Sequence, residues 1–221
     1  DKWEDIASLV MDGTDPTESL QSGSGGDGPD IEADVEQFHM GVPETTFEDV
    51  GGYRDIKKEL EEKTIKIFQY SDLIQEKLGQ SVLNGLILTG PPGTGKTLMS
   101  KAIAGELNNE LDEDVTVFKV KPNQLKRGVR GESGKLMRGL FAAAKHAEPA
   151  VIIFEEIDTL VQDRTDTSTQ TMRSDRDLVN SFLEEVNEIE TRDVIIMGTT
   201  NRAEALDEAA IRDKRLQTME M

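Results

Sequence analysis

The chain contains 221 residues, enough for one domain with a sizeable core and an additional tail. Its 44 Asp and Glu residues outnumber the 25 Lys and Arg residues, which gives a formal net charge of −19. Because the acidic residues are spread along the whole chain, this composition argues against a protein that binds nucleic acid through phosphate contacts.

The first 41 residues form an acidic segment that we expect to be partly flexible. Residues 1–20 allow either a short amphipathic helix or a frayed tail. Residues 21–29, with the sequence QSGSGGDGP, have the composition of a flexible linker. The sequence begins with Asp rather than Met, so we expect it to be part of a longer protein. We expect the folded domain to cover residues 42–221.

Two helices are predicted at the start of this domain. Apolar residues at near-helical spacing predict the first over residues 53–68. Ser71 and Asp72 are suited to begin a second, short helix that ends near Gly79. The Gly51-Gly52 pair ahead of the first helix indicates either a close backbone approach to another group or a simple helix-entry turn.

The most specific motif in the chain is GPPGTGKT, which fits the P-loop pattern G-x-x-x-x-G-K-[ST]. A short apolar run over residues 86–88 precedes it, as expected for a buried parallel strand. Residues 97–107 follow as a predicted helix, with Leu98 and Ile103 among the residues available for its apolar face. The motif consists of Gly90, Pro91, Pro92, Gly93, Thr94, Gly95, Lys96 and Thr97.

The chemistry of this motif is phosphate binding. Gly93 and Gly95 can adopt backbone angles that are closed to other residues, so successive N–H groups can point at phosphate oxygens. The helix that follows adds its positive N-terminal end. Lys96 is expected to neutralise β- and γ-phosphate charge, and the Thr97 hydroxyl is expected to bind Mg²⁺. The alternative is a Gly- and Pro-rich turn without a ligand.

Beyond this helix the sequence alternates between predicted strands and helices. The predicted strands are residues 115–120, 151–154 and 194–197, with one further strand before Met221. The predicted helices are residues 134–147, 176–186 and 206–211, and the predicted loops are residues 128–131 and 162–173. This alternation predicts an α/β fold of the P-loop NTPase type, with a parallel sheet of about five strands and helices on both faces.

Two acidic residues follow the most apolar predicted strand. Open α/β sheets bind their ligands at the carboxyl ends of the strands, where Glu155 and Glu156 are expected. We assign Glu155 to Mg²⁺ and Glu156 to a water molecule that attacks the γ-phosphate. The alternative is that both acids cap the next helix.

Three further polar residues are candidates for catalysis. Asn201 follows the next predicted strand, where a neutral amide can orient the same water molecule; a plain turn residue is the alternative. Arg212 and Arg215 are candidates for arginine fingers that act on a neighbouring subunit. A solvated helix face is the alternative for this pair.

With these residues in place, the chain from Thr46 to Met221 resembles the AAA family of ATPases. It is most similar to the branch with valosin-containing protein, the proteasomal ATPases and the microtubule-severing enzymes. The resemblance implies homohexameric rings that use ATP and Mg²⁺ to unfold, thread or disassemble protein substrates. It also implies that Asp49 and Gly51, in the segment FEDVGG, contact the adenine base, and that Leu98 contributes to the phosphate and ribose side.

The same resemblance gives the other positions a role. Glu155 and Glu156 match the second acidic motif, Asn201 the first sensor, and Arg212 with Arg215 the two arginine fingers. The substrate-gripping pore loop of the family falls at Val129, Arg130 and Gly131.

The chain departs from the family pattern at four places. Glu155 stands where the family usually has Asp, which moves the carboxylate toward the metal. Val129 and Arg130 replace an aromatic and an aliphatic residue, which weakens the expected grip on an extended chain. Leu216 and Gln217 replace the usual Phe-Asp. The helical lid that follows the large domain in the family is expected to be absent from this sequence.

Three functions are therefore considered. The first is an ATP-hydrolysing remodeller of proteins, the second is a nucleotide-dependent scaffold with weak hydrolysis, and the third is a nucleic-acid AAA machine. The net charge and the FEDVGG segment count against the third.

Composition also bears on the setting of the protein. No cysteine is present, no apolar run approaches the roughly 20 residues that span a bilayer, and no signal peptide is visible. We therefore expect a cytoplasmic protein. The acidic excess is typical of proteins from salt-loving organisms, although an ordinary acidic protein is the alternative.

Overall fold

The computed structural model describes residues 31–66, 70, 85–111, 114–127, 131–147, 149–160, 171–189, 194–206 and 216–221. The α-helices are α1 (Ile31–Glu36), α2 (Arg54–Leu60), α3 (Lys96–Glu110), α4 (Glu132–His146) and α5 (Thr171–Glu188). Helix α2 continues as a π-helical turn over Glu61–Ile65. The strands are β1 (His39–Met40), β2 (Gly85–Thr89), β3 (Thr116–Val120), β4 (Ala150–Glu155), β5 (Val194–Thr200) and β6 (Leu216–Glu220).

The strands form one six-stranded sheet in the order β1–β3–β4–β5–β2–β6. Strands β2 to β6 are all parallel, which confirms the predicted sheet of about five parallel strands. The prediction missed β1, which pairs antiparallel with β3 at the edge of the sheet. A strand of two residues is too short to show the alternating pattern by which strands are recognised in a sequence.

The two faces of the sheet are covered by different helices. Along the parallel strands, successive side chains enter opposite core clusters, as the period of two in a strand requires. One cluster packs against α2 and α3 and includes Leu86, Val151 and Ile153. The other packs against α4 and α5 and contains a contact group of three aromatic rings, Phe141, Phe154 and Phe182. Helices on both faces were predicted, and this arrangement confirms them.

The packed part of the chain begins ahead of residue 42, where the composition predicts the folded domain to start. Helix α1 lies on α4, and Phe38 is buried in the core beneath it. Lys119 N donates to Phe38 O at 2.8 Å, and Asp34 forms an ion pair with Arg127 at 2.9 Å. These contacts attach the end of the acidic segment to the edge of the sheet.

Element boundaries differ from the predicted ones by a few residues, most usefully at β5. This strand continues to Thr200 rather than ending at Met197, so Asn201 directly follows it. The segments predicted at residues 1–20, 21–29, 71–79 and 207–211 lie outside the described residues. None of the helices in the described ranges has the length and apolar character needed to cross a lipid bilayer.

Candidate nucleotide site

Three neighbouring strands deliver the candidate residues to one edge of the sheet. Strand β5 lies between β4 and β2, and all three run parallel. The P-loop follows β2, the two acids end β4, and Asn201 follows β5. The carboxyl ends of these strands therefore bring the phosphate loop, the acids and the amide to the same crevice, as expected for an open α/β sheet.

The loop has an open centre. Gly93 and Gly95 adopt φ values of 84° and 90°, in the left-handed region that favours glycine. Apart from the two chain neighbours, no residue in the described ranges lies within 4 Å of the position that a Cβ atom would take at either glycine. Helix α3 begins at Lys96, immediately after the loop, so its unpaired N–H groups face the same space. This cradle fits the phosphate groups of a nucleotide.

Lys96 supplies the positive charge of the loop. Its side chain is buried, and its ammonium group donates to Gly90 O at 2.8 Å, Pro91 O at 2.6 Å and Thr94 Oγ1 at 3.3 Å. Burial lowers the pKa of Lys96 because a charged ammonium loses hydration there. The carbonyl and hydroxyl oxygens offset part of this cost, and phosphate oxygens are suited to offset more of it.

Glu155 is placed where it was predicted, but it already has cationic partners. Because Val151 and Ile153 face the α3 side of the sheet, the alternation of β4 puts Glu155 on that side as well. Its Oε1 lies 3.0 Å from Lys119 Nζ and its Oε2 lies 3.8 Å from Lys121 Nζ. The carboxylate is largely covered, whereas both lysines are more exposed.

Thr97 and Glu155 carry oxygen atoms of the kind that Mg²⁺ prefers as ligands. Among the described residues there is no group of three His, Asp or Glu side chains that would hold a metal alone. Mg²⁺ is usually bound through one or two protein ligands together with substrate phosphates. A hydroxyl at the start of α3 and a carboxylate on the same side of the sheet fit that pattern.

Glu156 has a strained backbone. Its φ of 58° and ψ of 45° lie in the left-handed region, which costs a residue with a Cβ atom roughly 1–2 kcal/mol. The turn is held by Thr159, whose N–H and hydroxyl both donate to Glu156 O. This conformation leaves the Glu156 side chain exposed at the end of β4. Asn201 is also exposed, at the end of the adjacent strand.

The comparisons with known proteins agree with this geometry. The family model described as "ATPase family associated with various cellular activities (AAA)" matches residues 86–220. The chain belongs to the AAA family. This result confirms the family and the α/β P-loop fold that the motifs predicted.

Individual relatives support the same assignment. The chain is 35% identical over 194 residues to "Proteasome-activating nucleotidase 1" of Halobacterium salinarum, covering 86% of this chain and 46% of that protein. It is 36% identical over 179 residues to "Peroxisomal ATPase PEX6" of Rattus norvegicus, covering 80% and 17%. A crystal structure of the FIGL-1 AAA domain in complex with ADP superposes with a TM-score of 0.69 at 27% identity, covering 90% and 64%. The chain thus spans less than half the length of these two curated relatives.

The segment ahead of α2 lies against the P-loop helix of this AAA domain. Phe47 N donates to Glu106 of α3 at 2.7 Å, and the Lys57 ammonium group donates to Phe47 O and Val50 O. The carboxylate of Asp49 caps its own turn by accepting from Thr46 N at 2.8 Å. Gly51 is exposed at the end of this turn. The sequence did not point to Lys57 or Glu106, since neither belongs to a motif.

Leu98 differs from its predicted place on the core face of α3. It is 42% exposed. The residues of α3 that pack into the core are Met99, Ala102 and Ile103, and this face of the helix does not include Leu98. Gly131 has a φ of 83° and is the N-cap residue of α4. Val129, Arg130, Arg212 and Arg215 lie outside the described residues, so their assigned roles stay predictions.

Proposed function

We propose that this AAA domain binds ATP with Mg²⁺ and hydrolyses it to ADP and phosphate. The observation that carries the proposal is the convergence of three strand ends on one crevice. There, the buried ammonium group of Lys96 lies inside an open glycine loop. A strained acid, Glu156, and an exposed amide, Asn201, end the two neighbouring strands.

Different groups of the chain are proposed to bind the phosphates, hold the metal ion and activate the attacking water molecule. The loop amides and the N terminus of α3 bind phosphate oxygens, and Lys96 neutralises β- and γ-phosphate charge. Mg²⁺, bound by Thr97, Glu155 and phosphate oxygens, would neutralise charge that develops in the transition state. Glu156 accepts a proton from the water molecule that attacks the γ-phosphate, and Asn201 orients that water. Asp49, Gly51 and Leu98 are proposed to line the remainder of the nucleotide.

Hydrolysis is proposed to drive the remodelling of proteins. One relative named above is a proteasome-activating nucleotidase, a name that connects nucleotide chemistry to a protein assembly. A homohexameric ring would place Arg212 and Arg215 against the nucleotide of the neighbouring subunit, and Val129, Arg130 and Gly131 along a central pore. A protein of this kind would work in the cytoplasm, and the net charge of −19 suits a salt-rich one.

The test of hydrolysis compares two acid-to-amide variants. Glu156→Gln is expected to bind ATP as tightly as the wild type and to lose at least about a hundredfold in turnover. Glu184→Gln, an exposed position on α5, is the matched control and should keep wild-type turnover. Lys96→Ala should abolish ATP binding in a fluorescence titration. Wild-type turnover in Glu156→Gln would refute the role of Glu156 as base.

The test of assembly uses the same proteins. Sedimentation of the wild type with a slowly hydrolysed ATP analogue should give a ring of several copies, and turnover per subunit should rise with protein concentration. Arg212→Ala and Arg215→Ala should lower that turnover without weakening ATP binding. If turnover per subunit stayed constant across the assembly range, fingers acting between subunits would be ruled out.

A second function is favoured by one observation, the ion pairs of Glu155. A metal ligand that is longer than the usual Asp and is held by Lys119 and Lys121 suits a domain that binds nucleotide but hydrolyses it slowly. Such a domain would act as a nucleotide-dependent scaffold. Steady-state turnover of the assembled wild type separates the two functions, because a scaffold would bind ATP with turnover no faster than the Glu156→Gln background.

A further inference from the structure

A buried hydroxyl connects the two turns that carry the proposed catalytic acid and the proposed catalytic amide. Thr200 is the last residue of β5 and is only 2% exposed. Its hydroxyl donates to Asp158 Oδ1 at 2.7 Å and accepts from Arg202 N at 2.9 Å. The first bond crosses from β5 to the turn after β4, and the second closes the turn around Asn201.

Asp158 lies in the short 3-10 helix that begins directly after Glu156. It is 8% exposed, so its carboxylate depends on partners within the protein. Ile157 packs in the core beside it and holds this helix on the α4 side of the sheet. One side-chain hydrogen bond therefore links the two turns beyond the last strand pair, Glu155 with Thr199, and it joins residues 42 positions apart in the chain.

We propose that Thr200 and Asp158 are positioning residues that fix the distance between Glu156 and Asn201. This inference rests on the proposed hydrolysis, because it concerns two groups that act on the same water molecule. Without the bond, the two strands stay paired as far as Glu155 and Thr199, but the turns that follow them lose the side-chain bond between them. Displacements of about 1 Å at a reacting centre can cost roughly a hundredfold in rate.

The first test removes the hydroxyl while keeping the shape of the side chain. Thr200→Val is expected to lower kcat by about tenfold to a hundredfold, with the dissociation constant for ATP within about twofold of wild type. Thr200→Ser restores the hydroxyl and should recover most of the turnover. Thr64→Val is the matched control, because it removes another buried Thr hydroxyl, one that donates to Leu60 O in the π-helical turn of α2. It should lower the melting temperature without lowering kcat.

The second test separates an acceptor from a charge. Asp158→Asn keeps a carbonyl oxygen that can accept from Thr200, so its kcat should stay within a few-fold of wild type. Asp158→Ala removes the acceptor and should resemble Thr200→Val. If Asp158→Asn lost as much turnover as Asp158→Ala, the carboxylate charge would be the essential feature, and the proposed positioning role would be overturned.

The outcomes also distinguish this inference from the proposed function. A wild-type protein without turnover would refute the hydrolysis itself. An active wild type with an equally active Thr200→Val would refute only the positioning role. The double variant Thr200→Val with Asp158→Ala should lose no more turnover than Thr200→Val alone, because Thr200→Val already removes the bond that Asp158→Ala removes. A multiplicative loss would show that the two residues act independently and would overturn the proposal.

Discussion

Substituting Gly105 tests whether close packing on α3 holds the segment that contains Asp49 and Gly51, the predicted adenine contacts. This glycine lies in α3, and a Cβ atom added to it would lie 2.2 Å from Thr45 O and 2.9 Å from Pro43 O. Since an ordinary contact begins near 3.4 Å, the backbone at Thr45 would have to move by about 1 Å. Phe47 is tied to Glu106, the next residue of α3, so the displacement would reach the turn of Asp49.

The expected magnitude follows from two opposing effects of Gly105→Ala. Overpacking against backbone atoms costs about 1–3 kcal/mol, and the better helix propensity of Ala recovers up to about 1 kcal/mol. A net loss of roughly 1–2 kcal/mol should lower the melting temperature by about 2–8 °C. ATP affinity should weaken as well, and this is measured by fluorescence titration with a labelled nucleotide.

Gly139→Ala is the matched control for this substitution. Gly139 is also helical, but its added Cβ atom would meet side-chain methyl groups of α1, Ile31 Cγ2 at 2.8 Å and Val35 Cγ2 at 3.5 Å, whose adjustment costs less than moving backbone atoms. Its melting temperature should change little or rise slightly. If Gly105→Ala were as stable as Gly139→Ala and bound ATP normally, the close packing of the Pro43–Thr45 backbone on α3 would be refuted.

Three further predictions concern charge. Lys119→Met should lower the Mg²⁺ concentration for half-maximal ATP binding by about two- to fivefold, because a partly exposed ion pair contributes about 0.2–1 kcal/mol; a higher Mg²⁺ requirement would show that Lys119 orients Glu155 instead. Lys96→Met should stabilise the nucleotide-free protein, since burial lowers the pKa of Lys96 and the unfolded chain binds the proton more strongly. That gain should be full below the folded pKa and vanish as pH rises toward 10.5, which thermal melts across pH can follow. With a net charge of −19, the melting temperature should rise between about 0.01 and 1 M salt as self-repulsion is screened; a flat or falling profile would refute the salt-adapted interpretation.

The sequence predicted the parts of the site that are local in the chain. GPPGTGKT specifies its own loop, and apolar runs of three to six residues specify the buried strands around it. Glu155 and Glu156 were found because they are the first two residues after the run at 151–154, and Asn201 because it stands four residues after the run at 194–197. These features depend on neighbours within a few positions, so one sequence is enough to recognise them.

The contacts that depend on strand order could not be predicted in this way. Lys119 meets Glu155 only because β3 and β4 are adjacent, and Thr200 meets Asp158 only because β5 lies on the other side of β4. The approach of the Thr45 backbone to Gly105 joins segments 60 residues apart. Apart from Glu155, these residues had no role assigned from the linear pattern.

The costly features of the described chain coincide with the proposed site. Only two residues other than glycine have positive φ in the described ranges, Tyr53 and Glu156. Tyr53 follows the FEDVGG segment and Glu156 is the proposed base, while the buried cation Lys96 lies inside the phosphate loop. Fold stability gains nothing from an acidic residue with left-handed backbone angles after the most apolar strand. It also gains nothing from an ammonium group buried in a loop. Phosphate charge would offset the cost of burying Lys96, and the exposed Glu156 carboxylate could then accept a proton from the attacking water molecule. We therefore place the nucleotide between these two residues.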